Sequence, residues 1–193
     1  MRVAVFASGR GSNLQALIIA QQRGRLETEI VAVASDRRRA GALQIASDAG
    51  IATVVLSQRD FDNRLAFDLE MFARVAAHRP DLIVLAGYMR IVDPAALATW
   101  SGPIINIHPS LLPKYPGLHT HERAITAGDV EHGASVHSVT AELDGGPVIA
   151  QTRLAIRPDD TPDSLAARLL PLEHELLIDV VCRLASAHIR SGD

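Results

Sequence analysis

Val3-Ala4-Val5-Phe6-Ala7-Ser8-Gly9-Arg10-Gly11-Ser12-Asn13 opens the chain with a short apolar run that ends in a glycine-rich turn, and a helical pattern follows over residues 14–22. Small and apolar residues over that length suit a buried strand. Strand, turn and helix are the first unit of an α/β sheet. The same arrangement cradles phosphate, because free backbone N–H groups and the helix dipole point at the anion. Ser12 and Asn13 are good N-cap residues that add side-chain donors. The dinucleotide fingerprint G-x-G-x-x-G fails here, since Gly9 and Gly11 fit but Leu14 takes the third glycine's place. Asp36, just after the next strand (30–34), mimics the ribose-binding acid of that fingerprint. Without the third glycine or a full Walker pattern, the turn fits the single phosphate of a small substrate better.

Strands and helices alternate from there. A helix over 41–49, a strand over 52–56 and a long helix over 62–78 come next, the last with Leu65, Leu69, Phe72, Val75 and Ala76 at near-helical spacing. Arg79-Pro80-Asp81 breaks that helix before a buried strand over 82–86, and a helix over 94–100 leads to Pro103-Ile104-Ile105. The alternation predicts a Rossmann-like, doubly wound, mostly parallel sheet with right-handed connections. A short helix ends near Gly128. Stretches 133–140 and 147–156 read as antiparallel strands added to that sheet, linked by the turn-like Ala141-Glu142-Leu143-Asp144-Gly145-Gly146. Thr161-Pro162-Asp163 starts a long C-terminal helix with an apolar stripe at Leu165, Leu169, Leu172, Leu176 and Val180. Ser191-Gly192-Asp193 reads as a frayed tail. At 193 residues a single domain, 1–193, is the default, with halves 1–100 and 101–193.

Composition narrows the function. A chain 48% hydrophobic and 21% charged, with formal net charge −3, is that of a soluble globular protein. Arg37-Arg38-Arg39 is too short a basic run to argue for nucleic acid. The first apolar run is too short for a signal sequence or a transmembrane helix, so the expectation is a cytoplasmic protein with no membrane partner. The lone Cys182 excludes an intrachain disulfide and a cysteine-based zinc site, and reads as core.

Asn106-Ile107-His108-Pro109-Ser110-Leu111-Leu112-Pro113-Lys114-Tyr115-Pro116-Gly117 carries the strongest chemical signal. Asn106 and His108 leave a strand on one face, placing an amide donor beside an imidazole, a pair able to bind one developing oxyanion. Pro109, Pro113 and Pro116 stiffen the exit loop. Gly87-Tyr88-Met89-Arg90-Ile91-Val92-Asp93-Pro94 follows a strand end, and its apolar residues with one arginine suit a flat apolar ligand with an acidic tail. A loop that only covers the sheet would look similar. Asp144 precedes two glycines that let backbone approach a ligand, though turn chemistry alone explains Asp-Gly-Gly. Arg64 on spacing alone is a solvated helix charge, Glu173 is a candidate for a sugar hydroxyl, and His137 reads as a buried structural histidine. His108, His119 and His121 hint at zinc, but no cysteine and no H-E-x-x-H pattern supports it, so no metal is expected.

Taken together, Ser8-Gly9-Arg10-Gly11-Ser12-Asn13-Leu14-Gln15, Leu85-Ala86-Gly87-Tyr88-Met89-Arg90-Ile91, the Asn106 stretch with His119-Thr120-His121, Leu143-Asp144-Gly145-Gly146-Pro147-Val148 and Glu173-His174 resemble the glycinamide ribonucleotide formyltransferases of de novo purine synthesis. The resemblance spans almost the whole chain. Asn-x-His-Pro-Ser-Leu-Leu-Pro belongs to the wider group that uses 10-formyltetrahydrofolate, and Gly11-Ser12-Asn13 with Lys114-Tyr115-Pro116-Gly117 narrows it. The chain departs in Arg10, bulky for its turn position, and in a short C-terminus.

The resemblance implies the formyltransferase fold, a phosphate-binding first half and a folate-binding, catalytic second half. It implies formyl transfer from 10-formyltetrahydrofolate, as co-substrate, to the amine of 5′-phosphoribosylglycinamide by direct attack through a tetrahedral intermediate, in a monomer or homodimer. Asn106 and protonated His108 would stabilise the oxyanion, with Asp144 tuning His108 and relaying the proton. Gly11, Ser12, Asn13 and Leu14 would hold the substrate phosphate and Glu173 the ribose. Met89, Arg90, Ile91, Val92, Asn106, Leu143 and Asp144 would surround the folate, with Arg64 and Arg90 towards its glutamate tail. A 10-formyltetrahydrofolate deformylase, in which water replaces the amine, is the nearest alternative. A non-catalytic nucleotide-binding module would explain the turn and sheet but not Asn106, His108 and Asp144 together.

Overall fold

The computed structural model describes residues 1–191. The first unit is β1 (Arg2–Phe6), the turn, and α1 (Ser12–Gln22). β2 (Glu29–Ser35), α2 (Gly41–Asp48), β3 (Thr53–Val55), α3 (Arg64–Ala76), β4 (Leu82–Leu85), α4 (Pro94–Leu97) and β5 (Ile104–His108) follow. α5 (Thr120–Thr126), β6 (Glu131–Ser138), β7 (Val148–Ala155) and α6 (Pro162–Ser191) complete the chain. The seven strands lie in the order β3-β2-β1-β4-β5-β6-β7. β1 to β5 pair in parallel, and β6 and β7 are added antiparallel. The doubly wound sheet with antiparallel C-terminal strands and a long last helix is as the sequence predicts.

Period-two alternation explains the two cores. Val3, Val5 and Ala7 point to the side covered by α1, α2 and α6, while Ala4 and Phe6 point to the side covered by α3 and α4. Both faces of the parallel strands are thus buried, so these strands read as apolar runs rather than alternating ones.

Four local expectations change. α1 begins two residues earlier than its apolar pattern, because Gly11 takes the N-cap in a left-handed conformation (φ 84°), leaving Ser12 and Asn13 inside the first turn. α3 starts after Asn63, whose side chain accepts from the Ala66 N–H at 2.9 Å, and its chain leaves the helix at Arg79 (φ 51°) ahead of Pro80. The buried face of α3 is Phe67, Met71, Phe72 and Val75, with Leu69 38% exposed, so the apolar stripe is rotated from the one read in sequence. Residues 94–100 form a single α-turn that tightens through the Trp100 N–H to Leu97 carbonyl bond at 3.1 Å, since Gly102-Pro103 cannot extend it. The frayed tail expected at 191–193 lies, but for its first residue, outside the described residues. Among the described residues no helix is long and apolar enough to cross a membrane.

Candidate active site

The strand order reverses between β1 and β4, and open α/β sheets bind ligands at such a point, beyond the carboxyl ends of the strands. A cleft of about 510 Å³ opens there, continuing over the end of β5. Its floor is knitted by Ser8: its N–H donates to the Gly87 carbonyl at 3.0 Å, and its hydroxyl donates to Asp36 at 2.5 Å and accepts the Met89 N–H at 2.9 Å. Asp36 is therefore a structural acceptor at the switch point rather than a free ribose ligand.

Asn106 and His108 both line this cleft from β5, on the face the strand spacing predicts. The His108 Nε2 lies 2.9 Å from the Tyr115 carbonyl, which can only accept, so Nε2 carries the hydrogen. Nδ1 then faces Asp144 Oδ2 at 3.5 Å, and the pair is complementary only when the ring holds its second proton. Asp144 is fixed by the Gly117 N–H at 2.8 Å and has a left-handed backbone (φ 51°). Gly146 passes so close to β6 that a Cβ there would strike the Ser138 carbonyl. Burial opposes ionisation of Asp144, but the nearby His137, the Gly117 N–H bond and His108 outweigh it and hold its carboxyl below the usual range.

His137, read from sequence as structural, belongs to this cluster. Register pairs it directly with Asn106 across β5 and β6. Its Nδ1 lies 2.9 Å from the Ser138 carbonyl, so Nδ1 donates and Nε2 is free to accept from Asn106 Nδ2 at 3.1 Å. Asn106 Nδ2 also reaches Asp144 Oδ1 at 3.4 Å. The amide nitrogen is thereby turned toward the carboxylate. The signal that could have found His137 was strand pairing: residue 137 can only face the cleft if residue 106 does.

Gly11, which does not itself line the cleft, packs against α2, where an added Cβ would come within 2.7 Å of Ala42 Cα. That contact and the positive φ demand glycine. The first N–H groups of α1 are unpaired within the helix, an arrangement that can cradle an anion, and the Leu14 side chain is fully buried. Asn13 is 9% exposed, lines the cleft, bonds Glu173 of α6, and keeps a buried Oδ1 with no partner. Burial raises Glu173 to about 7, against the Asn13 bond. Ser12 opens instead onto a neighbouring hollow of about 370 Å³ shared with Arg23 and His174.

Met89, Ile91 and Leu143 line the cleft with 59%, 50% and 48% of their surface exposed, apolar walls without a partner. Val92 is buried behind them. Arg90 lies over the Phe67 ring at 4.4 Å and bonds Gln58 at 2.6 Å. Arg64 does not line the cleft: it pairs with Asp93 at 3.2 Å. The three histidines do not converge on one point, for His119 faces Glu122 at 3.8 Å and His121 bonds His132 at 2.9 Å.

Of that last pair His121 lines the cleft and His132 is buried beside it. His132 is 1% exposed, and burial, with His121 beside it, pushes its pKa down to about 4, while burial and His108 lower His121. An unfolded histidine ionises near 6.5, so the stability of this packing is present above that pH and lost as pH falls toward 4. Lowering the pH from 8 to 5 is expected to cost about 2 kcal/mol through His132 alone. Denaturant titrations at both pH values check this, and His132→Asn should flatten the difference.

Residues 1–181 match the family model described as formyl transferase. The chain is 45% identical to the phosphoribosylglycinamide formyltransferase of Escherichia coli (strain K12), over 98% of this chain and 90% of that one. It is also 45% identical to a segment of the trifunctional purine biosynthetic protein adenosine-3 of Drosophila melanogaster, over 90% of this chain and 13% of that protein. The solved phosphoribosylglycinamide formyltransferase of Coxiella burnetii, in complex with CHES, superposes with a TM-score of 0.93 at 47% identity, covering 97% of this chain and 88% of that one.

Proposed function

The chain belongs to the formyl transferase family, and from that premise we propose how its cleft carries out formyl transfer to phosphoribosylglycinamide in purine biosynthesis, the activity its close relatives are named for. The observation that carries the reading is the convergence of Asn106 and His108 on Asp144 at the end of β5. When bound, 10-formyltetrahydrofolate supplies a formyl carbon for attack by the substrate amine, and negative charge develops on the formyl oxygen. Asn106 Nδ2 and protonated His108 Nδ1 serve that charge. Each stands 3.4–3.5 Å from Asp144, longer than a full hydrogen bond, so each keeps capacity for an oxyanion between them. Asp144, facing His108 Nδ1, relays the amine proton toward the leaving nitrogen.

The fit of the co-substrate rests on the apolar, unpartnered walls at Met89, Ile91 and Leu143, backed by the buried Val92, which suit a flat pterin. Arg90, on the same wall, serves the acidic tail. Arg64 joins it only by leaving Asp93. The N–H groups at Gly11, Ser12, Asn13 and Leu14 hold the phosphate, and Glu173 with Asn13 holds the ribose.

Formyl transfer is measured by following tetrahydrofolate release with and without phosphoribosylglycinamide. Release is expected only with the amine present. Equal release in its absence would replace this reading with the deformylase one, in which the same cluster serves water.

A further inference from the structure

We propose that Gln151, on β7 and outside the cleft, is a positioning residue for His108, acting through the backbone of the loop after β5. The proposal rests on the catalytic reading of His108 and extends it to a residue two strands away.

The loop from Pro109 to Gly117 returns the chain beneath His108 so that the Tyr115 carbonyl meets Nε2 at 2.9 Å. Where that carbonyl stands decides how the ring is turned, because the carbonyl accepts from one nitrogen and thereby fixes the direction of the other. The loop is held at Leu112, by both of its backbone groups. Gln151 Nε2 donates to the Leu112 carbonyl at 2.9 Å, and the Leu112 N–H donates to Ser135 Oγ at 3.0 Å.

The two anchoring side chains are direct cross-strand partners on β6 and β7, so they leave the sheet on one face, side by side. Gln151 Nε2 also donates to Ser135 Oγ at 2.9 Å, and Ser135 Oγ donates to the Ser110 carbonyl at 2.6 Å. The serine hydroxyl thus gives one bond and takes two, its full complement, and Gln151 uses both amide hydrogens. Ser135 and Ser110 are fully buried. A network closed in this way has no slack in a dry setting.

Two further features press the same segment onto β6 and carry the constraint forward. Gly133 has no Cβ, and one placed there would come within 2.6 Å of Leu111 Cδ2, so the side chain next to Leu112 occupies that space. Past Leu112, the Lys114 carbonyl accepts from Ser110 Oγ at 2.7 Å, one residue before the carbonyl that meets His108. The path runs from Gln151 to Leu112, through Lys114 and Tyr115, to Nε2. Methionine at 151 keeps the length of the side chain and removes both donors, leaving a buried carbonyl and a serine lone pair unmatched.

The test is Gln151→Met, with His108→Ala beside it. Turnover in Gln151→Met is expected to fall about ten-fold, since small displacements of a catalytic group are costly, while KM for both substrates stays near the parental value. The ¹⁵N and ¹H signals of the His108 imidazole, identified by their loss in His108→Ala, are expected to move in the folded variant. Parental turnover in Gln151→Met, or a loss of turnover with unmoved His108 signals, overturns the proposal and leaves Gln151 a stability residue. Gln151→Glu, of the same shape but without donors at neutral pH, carries the same two outcomes where methionine does not fold. Full turnover in His108→Ala removes the reading on which the proposal rests. Collapse in His108→Ala beside parental turnover in Gln151→Met removes the proposal alone.

Discussion

Replacing Asp144 by asparagine is expected to lower turnover of formyl transfer by about 10²–10³-fold, the range set by losing one well-placed group that stabilises an oxyanion. The arrangement of partners explains why so small a change is so costly. Asp144 Oδ2 takes the Gly117 N–H and faces His108 Nδ1, while Oδ1 faces Asn106 Nδ2 and His137 Nε2. An asparagine whose oxygen takes the Oδ2 position keeps the Gly117 bond and the loop geometry. Its nitrogen then stands where Oδ1 stood, donor against donor with Asn106, and donates to His137 Nε2 instead. His137 is drawn away from Asn106, and the amide that should meet the oxyanion loses both groups that aim it. His108 Nδ1 meanwhile faces a neutral amide oxygen in place of a carboxylate.

KM for both substrates should change far less than turnover, because the cradle at α1 and the apolar walls do not involve this carboxylate. Steady-state kinetics with a melting curve for each protein check the point. Turnover at the parental level would remove Asp144 from the chemistry and leave it as the support of a left-handed turn.

The parts of this cluster were not equally legible in the sequence. Asn106 and His108 were, because a strand of period two forces residues two apart to one face and the apolar run before them marks a buried strand. The doubly wound sheet was legible for the same reason: its strands are buried on both faces and bounded by turns. His137 was not, since its partner is fixed by the register of two antiparallel strands joined to β5 by a long excursion, and no local pattern encodes that register. Arg64 has a partner that no local pattern gives. The resemblance sends it to the folate tail, yet its partner Asp93 sits 29 residues away at the start of α4, and the two meet because α3 and α4 pack on the same side of the sheet. The rotation of the α3 stripe has a similar origin, for Phe67 and Met71 are chosen by what lies under the helix rather than by spacing alone.

Glu173→Gln is expected to stabilise the free protein above pH 7 and to weaken binding of the ribose-bearing substrate under the same conditions. Burial raises this carboxyl from 4.5 to about 7. The unfolded chain therefore gives up the proton first, and the contribution of Glu173 is fully present below 4.5 and lost as pH rises through 7. At pH 8 the charged group costs roughly 3 kcal/mol relative to its unfolded state, and a neutral amide of the same shape removes that cost. At pH 4 the two proteins should be equally stable. Substrate reverses the sign of the comparison. A ribose diol donates hydrogen bonds, and bonds to a charged acceptor contribute about 1.5–3 kcal/mol, so the variant should show a KM for phosphoribosylglycinamide higher by about 10- to 100-fold at pH 8. Binding to the parent between pH 5 and 7 should also release a proton from Glu173, visible as a dependence of the calorimetric heat on the ionisation enthalpy of the buffer. Glu173 would then be a group that the free fold tolerates at a loss because the substrate recovers it. Equal melting of parent and variant at pH 8, with KM unchanged, would show that the carboxylate neither strains the fold nor touches the ribose.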